Sequence, residues 1–385
     1  KIMRISTLVW LLSSTAAGVT TALSVSSSTS SSTTQSNSGI MAGNQIRNSL
    51  GANRLRTLAK KAARLDETKN LDLVGISWLE HINLVVGTQP QAEAFYEDFL
   101  GFSRDPSAKF HVNLGQQQFH LAAAKEGETT PQRITGSIGL VVPDLDSVRE
   151  RMEQSSKSLQ GTLFEVLEDR MDEEGSLTIS CPCGNTLHLY CAKRDNEALQ
   201  PSASTPQKMV NLHAPGGSYS SNRMAVRGQP GIRFVEIACP VGSTPAIMKF
   251  YEEMLGCTVS QLSENEENGQ TIAISVGPGI HLLYSESSTV TPEDSSAMEG
   301  VHICIYVPQF KSLYDKLDEN KLIFTNPRFV HLDTCDTWEE AMASRTLRFK
   351  DIIDLDTGDK ILELEHETRP MKHGQFMKVP FYVPK

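Results

Sequence analysis

Most of the histidines and glutamates in this chain that could do chemistry stand singly between aliphatic or aromatic neighbours. The clearest are Val301-His302-Ile303, Ile361-Leu362-Glu363-Leu364, Val235-Glu236-Ile237 and Ile280-His281-Leu282, together with Phe119-His120-Leu121 and Leu187-His188-Leu189. A strand alternates its faces with period two, so in each case the aliphatic residues share one face and the polar group lies on the other. Imidazoles and carboxylates, where brought together, suit a borderline divalent ion such as Zn, Ni, Co, Mn or Fe(II). Such an ion would polarise a substrate with adjacent oxygens, and a carboxylate could then serve as a proton-abstracting base.

The elements that would position these groups occur twice. Phe95-Tyr96-Glu97-Asp98-Phe99-Leu100-Gly101-Phe102 returns as Phe250-Tyr251-Glu252-Glu253-Met254-Leu255-Gly256-Cys257. Each copy follows an alternating apolar strand and closes a helix at a glycine. The first copy reads as strand 79–86, helix 90–100 and hairpin 109–123, then strand 137–142, helix 144–154 and strands near 162–168 and 176–191. The second reads as strand 232–239, helix 244–255 and hairpin 271–284, then strand 301–307, helix 309–318 and strands near 322–329 and 345–366. The fold class is therefore α+β, with four βαβββ-like halves. Domains are expected at 77–192 and 231–366, joined by a Ser/Pro/Gly-rich linker at 193–230 and followed by a tail at 367–385.

The residues that carry this pattern resemble the vicinal oxygen chelate (glyoxalase/bleomycin resistance protein/extradiol dioxygenase) superfamily. Its opening His-x-x-Leu-x-Val is matched by His81-Ile82-Asn83-Leu84-Val85-Val86, and its helix ending by Phe95 to Phe102. Its second-half start is matched by Val142-Pro143-Asp144-Leu145-Asp146. Its closing motif is matched by Cys183-Gly184-Asn185-Thr186-Leu187-His188-Leu189, with His188 where Glu is usual, and by Gly358-Asp359-Lys360-Ile361-Leu362-Glu363-Leu364. The resemblance implies cup-shaped sheets with a metal at the floor, held from four strand positions. In the second copy these fall on Glu236, His281, His302 and Glu363. In the first they fall on His81, His120, Ser137 and His188. Cups can close within one domain, or between the first half of one and the second half of the other. The exchanged pairing would join His81 and His120 to His302 and Glu363, which belong to the site either way. Either Glu363 or Glu236 would be the base.

Such a site implies a metal-dependent enzyme of the lactoylglutathione-lyase type acting on a small oxygen-rich substrate. A non-catalytic cup that sequesters a small molecule and an Fe(II) extradiol-type dioxygenase are the other readings. His111 reads as a surface or cup-lining residue. His366, on the face opposite Glu363, reads as no ligand. Glu365 shares the face of Glu363 and reads as a rim carboxylate or a solvated one.

The 385 residues carry a formal charge of −10. Residues 1–65 hold eight Lys or Arg and no acid, which leaves 28 basic against 46 acidic residues in the body. A body this acidic disfavours nucleic acid and anionic lipid as partners. With four halves on one chain the cups can close internally, so a monomer suffices. The seven cysteines suggest no disulfide framework, and Cys181-Pro182-Cys183 stands too isolated for a zinc clip. Residues 1–65 read as a targeting leader. A basic start and the short apolar run Leu8 to Leu12 suggest a secretory signal, and the Ser-rich, basic, acid-free stretch after it is transit-like. The pair resembles a two-part plastid leader, with secretion as the other destination.

Overall fold

The computed structural model describes residues 74–106, 110–125, 130–171, 176–191, 230–265, 269–277, 280–291, 298 and 300–379. The expected leader and most of the expected linker lie outside these residues.

Two sheets carry the fold. In chain order the elements are β1 (Trp78–Val86), α1 (Gln89–Ala92, continuing as a π-helical stretch Glu93–Phe99), β2 (Ser103–Arg104), β3 (His111–Leu114), β4 (Gln117–Ala123), β5 (Gly136–Val142), α2 (Leu145–Leu159), β6 (Glu165–Arg170), β7 (Ser176–Ser180) and β8 (Thr186–Cys191). The second copy runs β9 (Gly231–Cys239), α3 (Thr244–Phe250, continuing as a π-helical stretch Tyr251–Leu255), β10 (Val259–Asn265), β11 (Gly269–Gly277), β12 (Ile280–Glu286), β13 (His302–Val307), α4 (Phe310–Glu319), α5 (Trp338–Ser344), β14 (Leu347–Ile353) and β15 (Lys360–Pro370). The strand expected near 322–329 does not form. That stretch is irregular and leads into α5, whose capping box is closed by Thr337 and Glu340.

Strand order decides how the halves pair. The first sheet runs β14-β15-β13-β1-β4-β3-β2 and the second β10-β11-β12-β9-β5-β8-β7-β6. Each sheet therefore takes one half from each sequence copy. The first half of the first copy pairs with the second half of the second through β1 and β13, which run antiparallel. The other two halves pair through β5 and β9. This is the exchanged arrangement. A continuous apolar core runs through both sheets and includes Phe95, Phe99, Phe250, Tyr251, Ile303 and Leu364.

A β-bulge sits at the same place in both central strands. Leu79 pairs with Ile305 and His81 with Cys304, so Glu80 is the extra residue in β1. Gly139 pairs with Phe234 and Leu140 with Ile232, so Arg233 is the extra residue in β9. A bulge breaks the strict alternation and turns two successive side chains toward one side. Beyond it, Ile82, Leu84 and Val86 return to the core, and His81 and Asn83 face the cup.

Candidate metal centre

Register shows which positions in the two cups correspond. Asn83 faces His302 in the first cup as Glu236 faces Ser137 in the second. His81 pairs with Gln118 as Phe234 pairs with His281. His302 pairs with Glu365 as Ser137 pairs with Thr186, and two residues further on Glu367 corresponds to His188. The four floor positions are therefore His81, His120, His302 and Glu367 in the first cup, and Phe234, Leu283, Ser137 and His188 in the second.

In the first cup the ligand-type atoms of His81, His302 and Glu367 all lie within 4.8 Å of one another. The Glu367 Oε2 is 3.4 Å from His302 Nε2 and 3.7 Å from His81 Nε2. His81 is fully buried, yet neither of its ring nitrogens has a hydrogen-bond partner, and neither has His302 Nδ1. Orphaned buried polar atoms are uncommon in native folds and call for an explanation. His120 stacks on His81 with ring centroids 3.6 Å apart, and His111 stacks on the other face of His120 at the same spacing.

The charges around this cluster point to a cation. Arg348 pairs with Asp333, Glu365 and Glu367, and Arg369 with Glu80 and Glu367. Counting carboxylates and guanidiniums alone, four acids face two bases, which leaves two negative charges largely out of water. Unpaired buried charge is strongly unfavourable, and a divalent ion would balance it. Burial alone would keep the Glu367 carboxyl protonated, but Arg369 and Arg348 outweigh burial and hold its pKa well below the ordinary range. Burial pushes His302 down and Glu367 only partly opposes it. Burial, then the neighbouring His81 and His111, push His120 well below its ordinary value. Ionised Glu367 and the neutral imidazoles His302 and His120 are the forms that bind metal, so these residues fit such an ion.

Glu80, placed by the bulge, stands behind His81. Its Oε1 is 3.4 Å from His81 Nδ1, and it accepts hydrogen bonds from the Tyr306 hydroxyl at 2.8 Å and from Arg369 at 3.0 Å. Above the floor lies a cavity of about 1060 Å³. Phe110, Leu121 and Phe329 line its apolar side, and Arg328, His373 and Lys378 contribute from the loop after α4 and from the chain beyond β15.

Several expected ligands lie elsewhere. Glu363 is salt-bridged to Lys350 at 3.0 Å and to Lys360 at 2.8 Å. It lies four residues before Glu367 on the same alternating face, because β15 is longer than β8 and its floor position falls further along it. Glu236 and His281 belong to the second sheet, apart from His302. Glu236 accepts hydrogen bonds from Ser137 at 2.7 Å and Ser285 at 2.8 Å. His188 hydrogen-bonds with Thr178 at 3.1 Å. An apolar cluster of Val141, Tyr190, Phe234, Leu262, Ala273 and Leu283 fills that side of the second sheet. His366 is fully buried on the opposite face of β15. Glu367, Glu80, Arg348 and Arg369 were not anticipated. Their one sequence signal is the continued alternation Glu363-x-Glu365-x-Glu367-x-Arg369.

Residues 233–335 match the family model of the Glyoxalase/Bleomycin resistance protein/Dioxygenase superfamily. No curated protein matches the chain. Among solved structures, glyoxalase I from Zea mays is 13% identical, with 76% of this chain and 92% of that chain covered and a TM-score of 0.44. A Bacillus subtilis protein provisionally described as a dioxygenase is 14% identical, with 79% and 90% covered and a TM-score of 0.40. An integron cassette protein from V. Cholerae is 20% identical over 31% of this chain and 98% of its own, with a TM-score of 0.24. Among the described residues no helix is long and apolar enough to cross a membrane. Its repeated strand–helix–strand halves and the match over residues 233–335 make the chain similar to the glyoxalase/bleomycin resistance protein/dioxygenase superfamily.

Proposed function

We propose that the first cup is the working site of a metal-dependent enzyme acting on a small oxygen-rich substrate, and that the second cup is a structural partner. One observation carries this reading. The four floor positions hold three imidazoles and a carboxylate in one cup, and in the other Phe234, Leu283 and Ser137 leave only His188. A divalent ion held by His81, His302 and Glu367 would polarise adjacent substrate oxygens. His120, kept neutral by its surroundings, presents a third imidazole at the floor. Phe110, Phe329 and Leu121 exclude water from the apolar side of the substrate.

The donor set also bears on the type of chemistry. Lyase-like proton transfer calls for a carboxylate free to act as base. Glu367 is held by two arginines, and Glu80 by Tyr306 and Arg369. Two imidazoles and one carboxylate are the facial set of non-haem Fe(II) oxygenases, so oxygenase chemistry is favoured over a lactoylglutathione-lyase-like reaction, which would have to use His120. The test is anaerobic reconstitution with Fe(II), Zn, Ni or Mn, followed by oxygen uptake with catechols and isomerisation assays with hemithioacetals. Oxygen uptake that depends on Fe(II) and on His302 is expected. Turnover of hemithioacetals alone would favour the lyase, and failure to bind any of these ions would leave only a binding cup.

Glu80→Gln should weaken metal binding about 10- to 100-fold, the usual scale for outer-shell partners of a ligating histidine. Equilibrium metal titration with a competing chelator reads this directly. An unchanged affinity would mean that Glu80 does not orient His81.

A further inference from the structure

Away from the cups, the Cys181-Pro182-Cys183 turn between β7 and β8 brings two thiols together. Gly184 N–H donates to the Cys181 carbonyl at 2.8 Å, and Cys181 N–H to the Asn185 carbonyl at 2.8 Å, which closes the turn tightly. Gly184 sits at φ +91°, a conformation that favours glycine. Both sulfurs receive backbone donors. Cys181 Sγ accepts from Cys183 N–H at 3.4 Å and Asn185 N–H at 3.2 Å, and Cys183 Sγ accepts from Gly87 N–H at 3.0 Å.

We propose that Cys181 and Cys183 form an oxidisable dithiol, a modification site that takes a small hydroperoxide as oxidant. Amide donors aimed at a sulfur favour its thiolate, which is the reactive form. The neighbouring Cys183 side chain, with help from the backbone amides of Cys183 and Asn185, outweighs burial and brings the Cys181 thiol down to about 6. The neighbouring Cys181 side chain and burial push Cys183 up. One sulfur is therefore the nucleophile and its neighbour resolves the product. Cys239 and Cys257 contrast with this pair, since burial pushes them up to about 11 and about 12.

The step balances with hydrogen peroxide. The Cys181 thiolate attacks one peroxide oxygen, the O–O bond breaks and hydroxide leaves, giving a sulfenic acid. The Cys183 sulfur then attacks the Cys181 sulfur, the S–O bond breaks and water leaves. Two thiols are oxidised by two electrons, and the peroxide is reduced to two waters.

The test uses the full chain, fully reduced, treated with hydrogen peroxide and mapped by peptide mass spectrometry. The expected first product is a Cys181–Cys183 peptide lighter by two hydrogens while the other five of the seven cysteines stay free. It should form at least about tenfold faster than any change at Cys239, Cys257 or Cys304. Cys183→Ser should instead accumulate a dimedone-trappable sulfenate at Cys181. Seven free thiols after a dose that oxidises dithiothreitol, earlier oxidation of another cysteine, or no sulfenate at Cys181 in Cys183→Ser would overturn the proposal.

Discussion

His302→Ala is expected to abolish stoichiometric metal binding, while Glu236→Gln, His281→Ala and Glu363→Gln leave it unchanged. His302 is one of three side chains whose donor atoms converge within 4.8 Å, and its Nε2 is the one opposite Glu367 Oε2 at 3.4 Å. Even outer-shell partners are worth about 10–100-fold in metal affinity, so loss of a direct ligand should exceed about a hundredfold. Glu367→Gln would be a poorer test. It leaves Arg348 and Arg369 with fewer acids in a buried site, and breaking a buried ion pair typically costs about 3–5 kcal/mol. His302→Ala replaces a neutral imidazole and gives up its edge contacts with Phe329 and His81, ring centroids 5.4 and 5.8 Å away, and its approach to Glu367. The readouts are metal content by mass spectrometry and the rise in unfolding free energy on adding metal, about 2.7 kcal/mol at a hundred times Kd for a site present only in the folded chain. Wild-type metal content in His302→Ala, or its loss in Glu236→Gln or Glu363→Gln, would show that the ion is held elsewhere.

Much of this was legible in the sequence, and what was not has a physical cause. The Phe-Tyr repeat and the alternation around His302 report local periodicity, and local periodicity sets strand faces and helix ends. Which half pairs with which is a long-range choice between equally apolar strands. Nothing in β1 alone distinguishes β13 from β5 as its neighbour. Counting back from the Phe-Tyr motif matched His81 to Glu236, whereas in the folded sheets His81 corresponds to Phe234. Two residues separate β1 from α1, but four separate β9 from α3, and that difference moves the match by one pleat. Because the slip is an even number it keeps the face and changes the residue, so alternation could not reveal it. The same holds for Glu363 and Glu367, four residues apart on one face of β15. Glu80 was hidden for another reason. A bulge is a departure from alternation, and reading strict period two assigns its residue to the core.

Below neutral pH the metal-free protein should lose stability, and His366 should account for about 2 kcal/mol of that loss between pH 7 and pH 5. Its ring is fully buried and stacked on Phe349, with centroids 4.3 Å apart. Nδ1 lies 2.7 Å from the Leu364 carbonyl and must donate to it. Nε2 therefore accepts from the Tyr251 hydroxyl at 2.9 Å, and Tyr251 in turn accepts from Tyr284 at 2.7 Å. A second ring proton would meet a hydroxyl that already points its hydrogen inward. Burial takes the folded pKa to about 3, against about 6.5 in the unfolded chain. Between these values the unfolded state binds the extra proton and the folded state does not. Stability from this group is thus fully present above about pH 6.5 and falls by about 1.4 kcal/mol per unit as pH drops below it. His302 and His120 are also lowered by burial and act in the same direction. Glu367 and Glu80 are shifted down from a carboxylate value near 4.5, so their contribution fails only at lower pH, whereas burial raises Asp333, which works in the opposite direction; the difference between wild type and His366→Phe isolates His366. Urea unfolding of chelated wild type and His366→Phe at both pH values checks this. The variant should be less stable at pH 7, with Leu364 and Tyr251 left without their partner, yet lose about 2 kcal/mol less than wild type on going to pH 5. Equal losses in the two proteins would mean that His366 is already charged in the fold, and the hydrogen-bond chain through Tyr251 and Tyr284 would then have to run the other way.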